Sequence, residues 1–186
     1  MMALVDWHRL GDGDSEEGRR AGVLDLLRRA QLELGGGPLT GTRLLYDARH
    51  MLAATRQIEA AVGAAATSLL VGFQRAGKFE GEAATYRDLV AAGVSVTAFG
   101  TGEPEPVPGV RWVRLPEDQA ALQNQWLLVA EEPEPIAFVG FEISDPDHFG
   151  RVEVTDPSRS FTAFVSGDRR LVRAIAEHLE AIGRGS

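Results

Sequence analysis

The sequence predicts an α/β fold: one domain with a mixed β-sheet flanked by helices, preceded by an N-terminal amphipathic helix. Three observations carry this. The hydrophobic period changes after Ala66 from helical to strand-like, and "TSLLVGF", "EAATYRDLVAAG" and "VSVTAFG" then follow as strand, helix and strand. Strands such as "WLLVAEE" and "IAFVGFEISD" are almost continuously apolar, so both of their faces need cover. The chain closes on "DRRLVRAIAEHLEAIG", an amphipathic helix.

Taken in order, residues 15–34 ("SEEGRRAGVLDLLRRAQLEL") form the first helix, with Ser15 as N-cap and Val23, Leu24, Leu27, Ala30 and Leu34 as its stripe. "GGGPLTG" at 35–41 ends it, because three glycines and a proline oppose helical continuation. Residues 1–40 are therefore a helical arm with a glycine hinge, and residues 41–186 the α/β domain. Ala48, Met51, Leu52, Thr55, Ile58 and Val62 make a second helical stripe, which ends around Gly63. The strand–helix–strand run from residue 67 is a right-handed parallel βαβ unit, with Gly93 at the C′ position of its helix. "TGEPEPVPG" is a proline-rich acidic loop, "VRWVRL" a short strand, and "PEDQAALQNQ" a short helix or turn. "WLLVAEE" and "IAFVGFEISD", joined by "PEP", form an antiparallel hairpin at the sheet centre. "PDHFGRVEVTDPSR" is a loop or irregular edge, and "SFTAFVSG" is the last strand. In the closing helix Leu171, Val172, Ile175, Leu179 and Ile182 face inward, leaving Arg170, Arg173, Glu177 and Glu180 in solvent. The expected core is Leu69, Val71, Val96, Leu128, Val129, Val139, Phe141, Phe164 and Ile175.

Composition narrows the function. The 186 residues carry a formal net charge of −8, which opposes attraction to nucleic acid backbone or an anionic membrane. There is no cysteine, hence no disulfide, thiolate metal site, cysteine nucleophile or thioether-linked cofactor. The first residues lack a basic and apolar leader pattern, and no apolar run approaches the roughly 20 residues that span a bilayer. A cytoplasmic location is expected.

The chemistry-bearing candidates are few. In "SLLVGFQRAGKFEGE" the first strand of the βαβ unit stops at Gln74, Arg75 and Lys78, at the strand end where α/β sheets gather ligands. Gln74, Arg75, Lys78 and Phe79 are the expected ligand- or partner-binding residues: the cations grip an anion or acidic group, Phe79 anchors the loop, and Gly77 lets it turn. The plainer reading pairs Arg75 with a nearby acid. Arg75→Ala is then expected to weaken capture of the partner and leave thermal stability nearly intact. The segment has no nucleotide fingerprint. "FGTGEPEP" at 99–106 is too acidic for a phosphate loop, and in "SGDRRLVR" Ser166 or Asp168 reads as a helix cap. His8, His50, His148 and His178 lie in no metal-binding spacing, and Asp145 and Asp147 read as a turn around Pro146. Glu131 and Glu132 point to opposite faces if they lie in a strand, and Trp7, Trp112 and Trp126 read as packing residues. No catalytic residues, metal or cofactor are expected.

The segments "MLAATRQIE", "LLVGFQRAGKF", "YRDLVAAGVSVTAFGTG", "PGVRWVRL", "QWLLVAEEPEPIAFVGFEISD" and "RSFTAFVSGDRRLVRAIAEHL", spanning about residues 45–182, resemble the DICT sensory domain, a family named for diguanylate cyclases and two-component systems. The resemblance implies a noncatalytic signal-input module that binds a small ligand or a protein partner, in light- or cyclic-di-GMP-linked signalling. Any chromophore would be noncovalent or a partner's, since cysteine is lacking. It leaves open whether the chain acts alone or within a larger signalling system. The alternative is a small α/β enzyme acting on an anionic metabolite through residues 74–79. A signalling protein partner is expected, as is homodimerisation through the arm, whose stripe must otherwise dock on its own domain.

Overall fold

The computed structural model describes residues 4–5, 39–40, 42–65, 68–115, 125–142 and 158–184, with residues 4–5, 39–40, 42–46, 64–65, 74, 125 and 141 described by backbone alone. The expected helix over 15–34, and with it the dimerising arm, lies outside the described residues.

A two-residue pair, β1 (Leu4–Val5) with β2 (Leu39–Thr40), is antiparallel and separate from the main sheet. From residue 42 onward the described residues supply seven further strands: β3 (Thr42–Asp47), β4 (Ser68–Arg75), β5 (Ser95–Thr101), β6 (Val110–Arg114), β7 (Gln125–Ala130), β8 (Ile136–Glu142) and β9 (Ser160–Ser166). They build one mixed sheet in the order β3-β9-β8-β7-β4-β5-β6. The parallel pairs are β4–β5 and β5–β6, and every other pairing in the large sheet is antiparallel. The single α/β domain expected from the periodicity is therefore present, with its βαβ unit and its central β7–β8 hairpin. β3 was not foreseen. It is a short edge strand whose "TRLLYD" shows no clean alternation, and its partner β9 lies at the far end of the sequence.

Helices cover both faces: α1 (Ala48–Ala65), α2 (Ala76–Ala91) and α3 (Arg169–Arg184). On one face lies α3, whose Leu171, Val172, Ile175 and Leu179 pack on Leu70, Phe99, Leu127, Val139 and Phe164. On the other lie α1 and α2, over Leu69, Val71, Val96, Ala98, Leu128 and Phe138. Consecutive strand residues thus alternate between two apolar layers, which is why these strands are apolar throughout. The expected core residues are buried; Phe141's side chain lies outside the described residues.

Helix ends are fixed by local chemistry. Asp47 caps α1: its Oδ1 accepts the backbone N–H of His50 at 2.9 Å, and this hydrogen bond holds its carboxyl below the usual carboxylate range. Asp168 caps α3 by accepting the backbone N–H of Arg170 at 3.0 Å, one of the two caps expected there. At the other end of α3, Arg111 of β6 donates to the Gly183 carbonyl at 2.7 Å. The end of α2 is a Schellman turn: Val94 N–H reaches Leu89 O, Gly93 N–H reaches Val90 O, and Gly93 sits at φ 94°.

Candidate functional site

β4 runs to Arg75, whose backbone is extended at φ −156° and ψ 158°, and α2 begins at the next residue. The expected binding loop over 74–79 is therefore corrected: residues 76–79 form the first turn of a helix. Gly77 is helical with open space where a Cβ would stand, so no sharp turn depends on it. The break in pairing falls instead in β4 itself, as a register shift against β5 between Gly72 and Arg75. Arg75 is exposed, Lys78 is half-buried and Phe79 is fully buried. Phe79 does anchor this edge, packing at 5.3 Å from the rings of Phe73 and Trp112 and 5.9 Å from Tyr86. Two of the cations anticipated for recognition, Arg75 and Lys78, thus flank the N-terminus of α2. Gln74 adjoins them by backbone position.

Behind this edge the two helices are joined by a polar latch that the sequence did not reveal. Arg56 of α1 donates to Glu59 at 2.9 Å, to Thr85 at 3.2 Å and to Glu82 of α2. Tyr86 donates to the other oxygen of the buried Glu59 at 2.6 Å. Burial pushes the Tyr86 phenol well above its ordinary range, and the Glu59 carboxylate pushes it further. A raised folded-state pKa means that the associated stability is whole below about pH 10 and is lost as the pH climbs past that value. Tyrosinate absorbance followed beside circular dichroism is expected to show Tyr86 ionising only with unfolding, a step missing from Tyr86→Phe. Ionisation of Tyr86 near pH 10 in folded protein would contradict this. Tyr86→Phe should itself lose about 1.5–3 kcal/mol, the range for a hydrogen bond to a charged group.

A second buried pair lies where β8 ends and β9 begins. Arg159 grips Glu142 with two parallel bonds, Nε to Oε1 and Nη2 to Oε2, both 2.8 Å. Both side chains are at most 1% exposed, and the Arg159 guanidinium lies 5.2 Å from the Phe161 ring centre. Its Nη1 is buried with no acceptor among the described residues.

The remaining candidates have structural partners. Glu131 and Glu132 follow β7 in the hairpin turn and reach Arg173 at 3.5 Å and Arg169 at 2.6 Å on α3. His50 leans on Asp47 at 2.9 Å. Trp126 is half-buried and donates to Thr55 at 2.7 Å, and Trp112 donates to the Gly102 carbonyl at 3.1 Å. His8, His148, Asp145, Asp147 and Trp7 lie outside the described residues. Among the described residues no group of three His, Cys, Asp or Glu side chains converges as a metal site. None of their helices is long and apolar enough to cross a membrane.

Among the described residues one concavity is large enough for a ligand. A cleft of about 700 Å³ opens between α1 and the β7–β8 turn, floored by Phe138, Ile136 and Val165 and walled by Ala54, Ile58, Ala61 and Val62 on one side and Pro133 and Pro135 on the other. Gln57, Glu132 and Glu134 are its polar lining residues. The size falls within the roughly 300–1,000 Å³ of small-molecule sites. It lies at the start of β8 and the end of β7, at the opposite end of the strands from Arg75. The sequence carried two signs of it: the alanines on one side of α1 leave a shallow helix face, and the five-residue "EEPEP" turn holds the hairpin end open.

No protein-family model matches the sequence, and neither does any curated protein. Solved structures match in fold. Polyphosphate kinase from Porphyromonas gingivalis superposes with a TM-score of 0.53 at 11% identity, over 98% of this chain and 29% of that one. The chain thus spans under a third of that protein's length. NucT from Helicobacter pylori gives 0.47 at 8% identity over 76% of this chain and 95% of its own. Nuc from Salmonella typhimurium, a phospholipase D family member, gives 0.43 at 12% identity over 76% and 93%.

Proposed function

We propose that this protein is a signal-input module that senses a small molecule in the cleft between α1 and the β7–β8 turn and passes occupancy to a protein partner. The observation that carries the reading is the cleft itself: an apolar floor and walls, with polar groups confined to Gln57, Glu132 and Glu134. Such a lining binds by excluding water from an apolar body and orients the bound molecule with few polar contacts. The resemblance to DICT sensory domains agrees with a noncatalytic sensor, and the light- or cyclic-di-GMP-linked setting belongs to that same proposal. α1 supplies a route for the response. Ala54, Ile58 and Ala61 line the cleft, while Arg56 and Glu59 of the same helix hold α2.

The test uses Nile red, a neutral dye that brightens in apolar surroundings. It is expected to bind the wild-type chain saturably, and Ala61→Trp, which places an indole in the cleft from an exposed position on α1, should abolish the signal. Equal brightening by both proteins, at matched thermal stability, would overturn the assignment.

A further inference from the structure

The charges around the cleft are not symmetric. Among the described residues that line it, the ionisable ones are Glu132 and Glu134, both acidic and both exposed, with no Lys, Arg or His beside them. Glu132 is occupied, since Arg169 of α3 holds its Oε1 at 2.6 Å from outside the cleft. Arg173 likewise engages Glu131, which is not a lining residue. Two cations next to the hairpin are thereby committed to the first two glutamates of the turn. Glu134 forms no ion pair among the described residues, and it stands between Pro133 and Pro135, which line the same cleft. An apolar body seated on Phe138, Ile136 and Val165 would therefore meet one uncompensated carboxylate and the Gln57 amide at the polar part of the lining. A carboxylate or phosphate there would lose hydration and meet a like charge, whereas a cation gains a partner.

Resting on the cleft as the sensing site, we infer that its ligand is an apolar molecule bearing a cationic group, an organic ammonium or similarly weakly hydrated cation, with the charge set against Glu134. The selection is against anions. This separates the cleft from the Arg75 and Lys78 site at the opposite end of the strands, whose chemistry suits an acidic group. The chain's net charge of −8 acts in the same direction by drawing cations toward its surface.

A pair of ions of one shape and opposite charge tests the inference. Tetraphenylphosphonium and tetraphenylborate are titrated separately into the full chain by calorimetry at low salt. The phosphonium is expected to bind and the borate to bind at least tenfold more weakly. Added salt should narrow the gap, because an exposed carboxylate is screened. Glu134→Gln should weaken the phosphonium about threefold, the scale of one exposed ion pair. Glu134→Lys should shift the preference toward the borate. Ala61→Trp should remove both. Equal affinity for the two ions, or a phosphonium affinity unchanged in Glu134→Lys, overturns the charge inference and leaves the Nile red result to judge the cleft. Phosphonium binding that persists in Ala61→Trp overturns the location. No binding of the phosphonium by a chain whose cleft takes Nile red overturns the ligand class alone.

Discussion

Arg159→Met is expected to destabilise the fold by about 3–5 kcal/mol, because it removes the guanidinium that grips the buried Glu142 carboxylate with two hydrogen bonds. The pair is closed off from water, with both side chains at most 1% exposed, so solvent cannot take over the role of the lost guanidinium. A loss of that size is about a fifth or more of the stability of an ordinary domain, and urea unfolding with an unchanged slope would measure it. The double variant Arg159→Met/Glu142→Leu is expected to recover most of the loss, since apolar residues of similar volume commonly equal a buried ion pair once neither charge remains. The unmatched Nη1 of Arg159 adds to that expectation, as the wild type already carries one buried donor without an acceptor among the described residues. A cost below about 1 kcal/mol for the single variant would show that the carboxylate finds water, and that the site opens readily.

Gly100→Ala should be nearly as damaging, at about 3 kcal/mol. A Cβ at this position of β5 would stand 2.6 Å from the Phe73 carbonyl oxygen and 2.6 Å from the Trp112 ring. The indole, half-buried at the sheet edge, can shift only by giving up its bond to the Gly102 carbonyl and its packing on Phe79. The carbonyl belongs to the neighbouring strand and moves only if the β4–β5 pairing opens, at the very end where their register already shifts. Gly81→Ala gives the opposite sign. That glycine is inside α2, and a methyl group placed on it would have nothing within 4 Å, so alanine should stabilise by about 0.5–1 kcal/mol through helix propensity alone. Thermal unfolding of the two variants side by side separates close packing from backbone freedom. A neutral Gly100→Ala would mean that β4 and β5 part easily at this end.

What could be read from the sequence was whatever one segment determines by itself. The βαβ unit, the hairpin, the stripe of α3 and the Gly93 turn each follow from periodicity or a single residue's conformational range. So did the burial of Leu69, Val96, Leu128 and Phe164, because strands covered on both faces are apolar at every position. The start of α2 was misplaced: two glycines in "RAGKFEGE" read as a loop, whereas packing of Phe79 among Phe73, Tyr86 and Trp112 holds those residues helical. Features that require two distant segments were not legible. Arg56 meets Glu82 and Glu59 meets Tyr86 only after α1 and α2 lie side by side, and no local spacing announces either pair. Arg159 sat in a stretch that reads as irregular loop, although it closes on Glu142 across two strands. The cleft is the extreme case, being a space left between small alanine side chains and a proline-rich turn.

The position of β3 constrains how the molecule comes into being. Its hydrogen-bonding partner is β9, with Thr42 set against Val165 and Asp47 against Ser160. A ribosome that has just released residues 42–47 has therefore produced a strand with no neighbour until residues 160–166 emerge. At about 5–20 residues per second the interval is roughly 6–25 seconds. During that time β4, α2 and β5 can assemble as a local unit while the first strand waits at the border of a nascent sheet. β9, made after the other described strands, is the one that seals both β8 and β3, so a chain interrupted before residue 160 leaves a border of each without its partner. Termination between β8 and β9 is thus expected to yield sticky products, and quality control by chaperones has its natural target there.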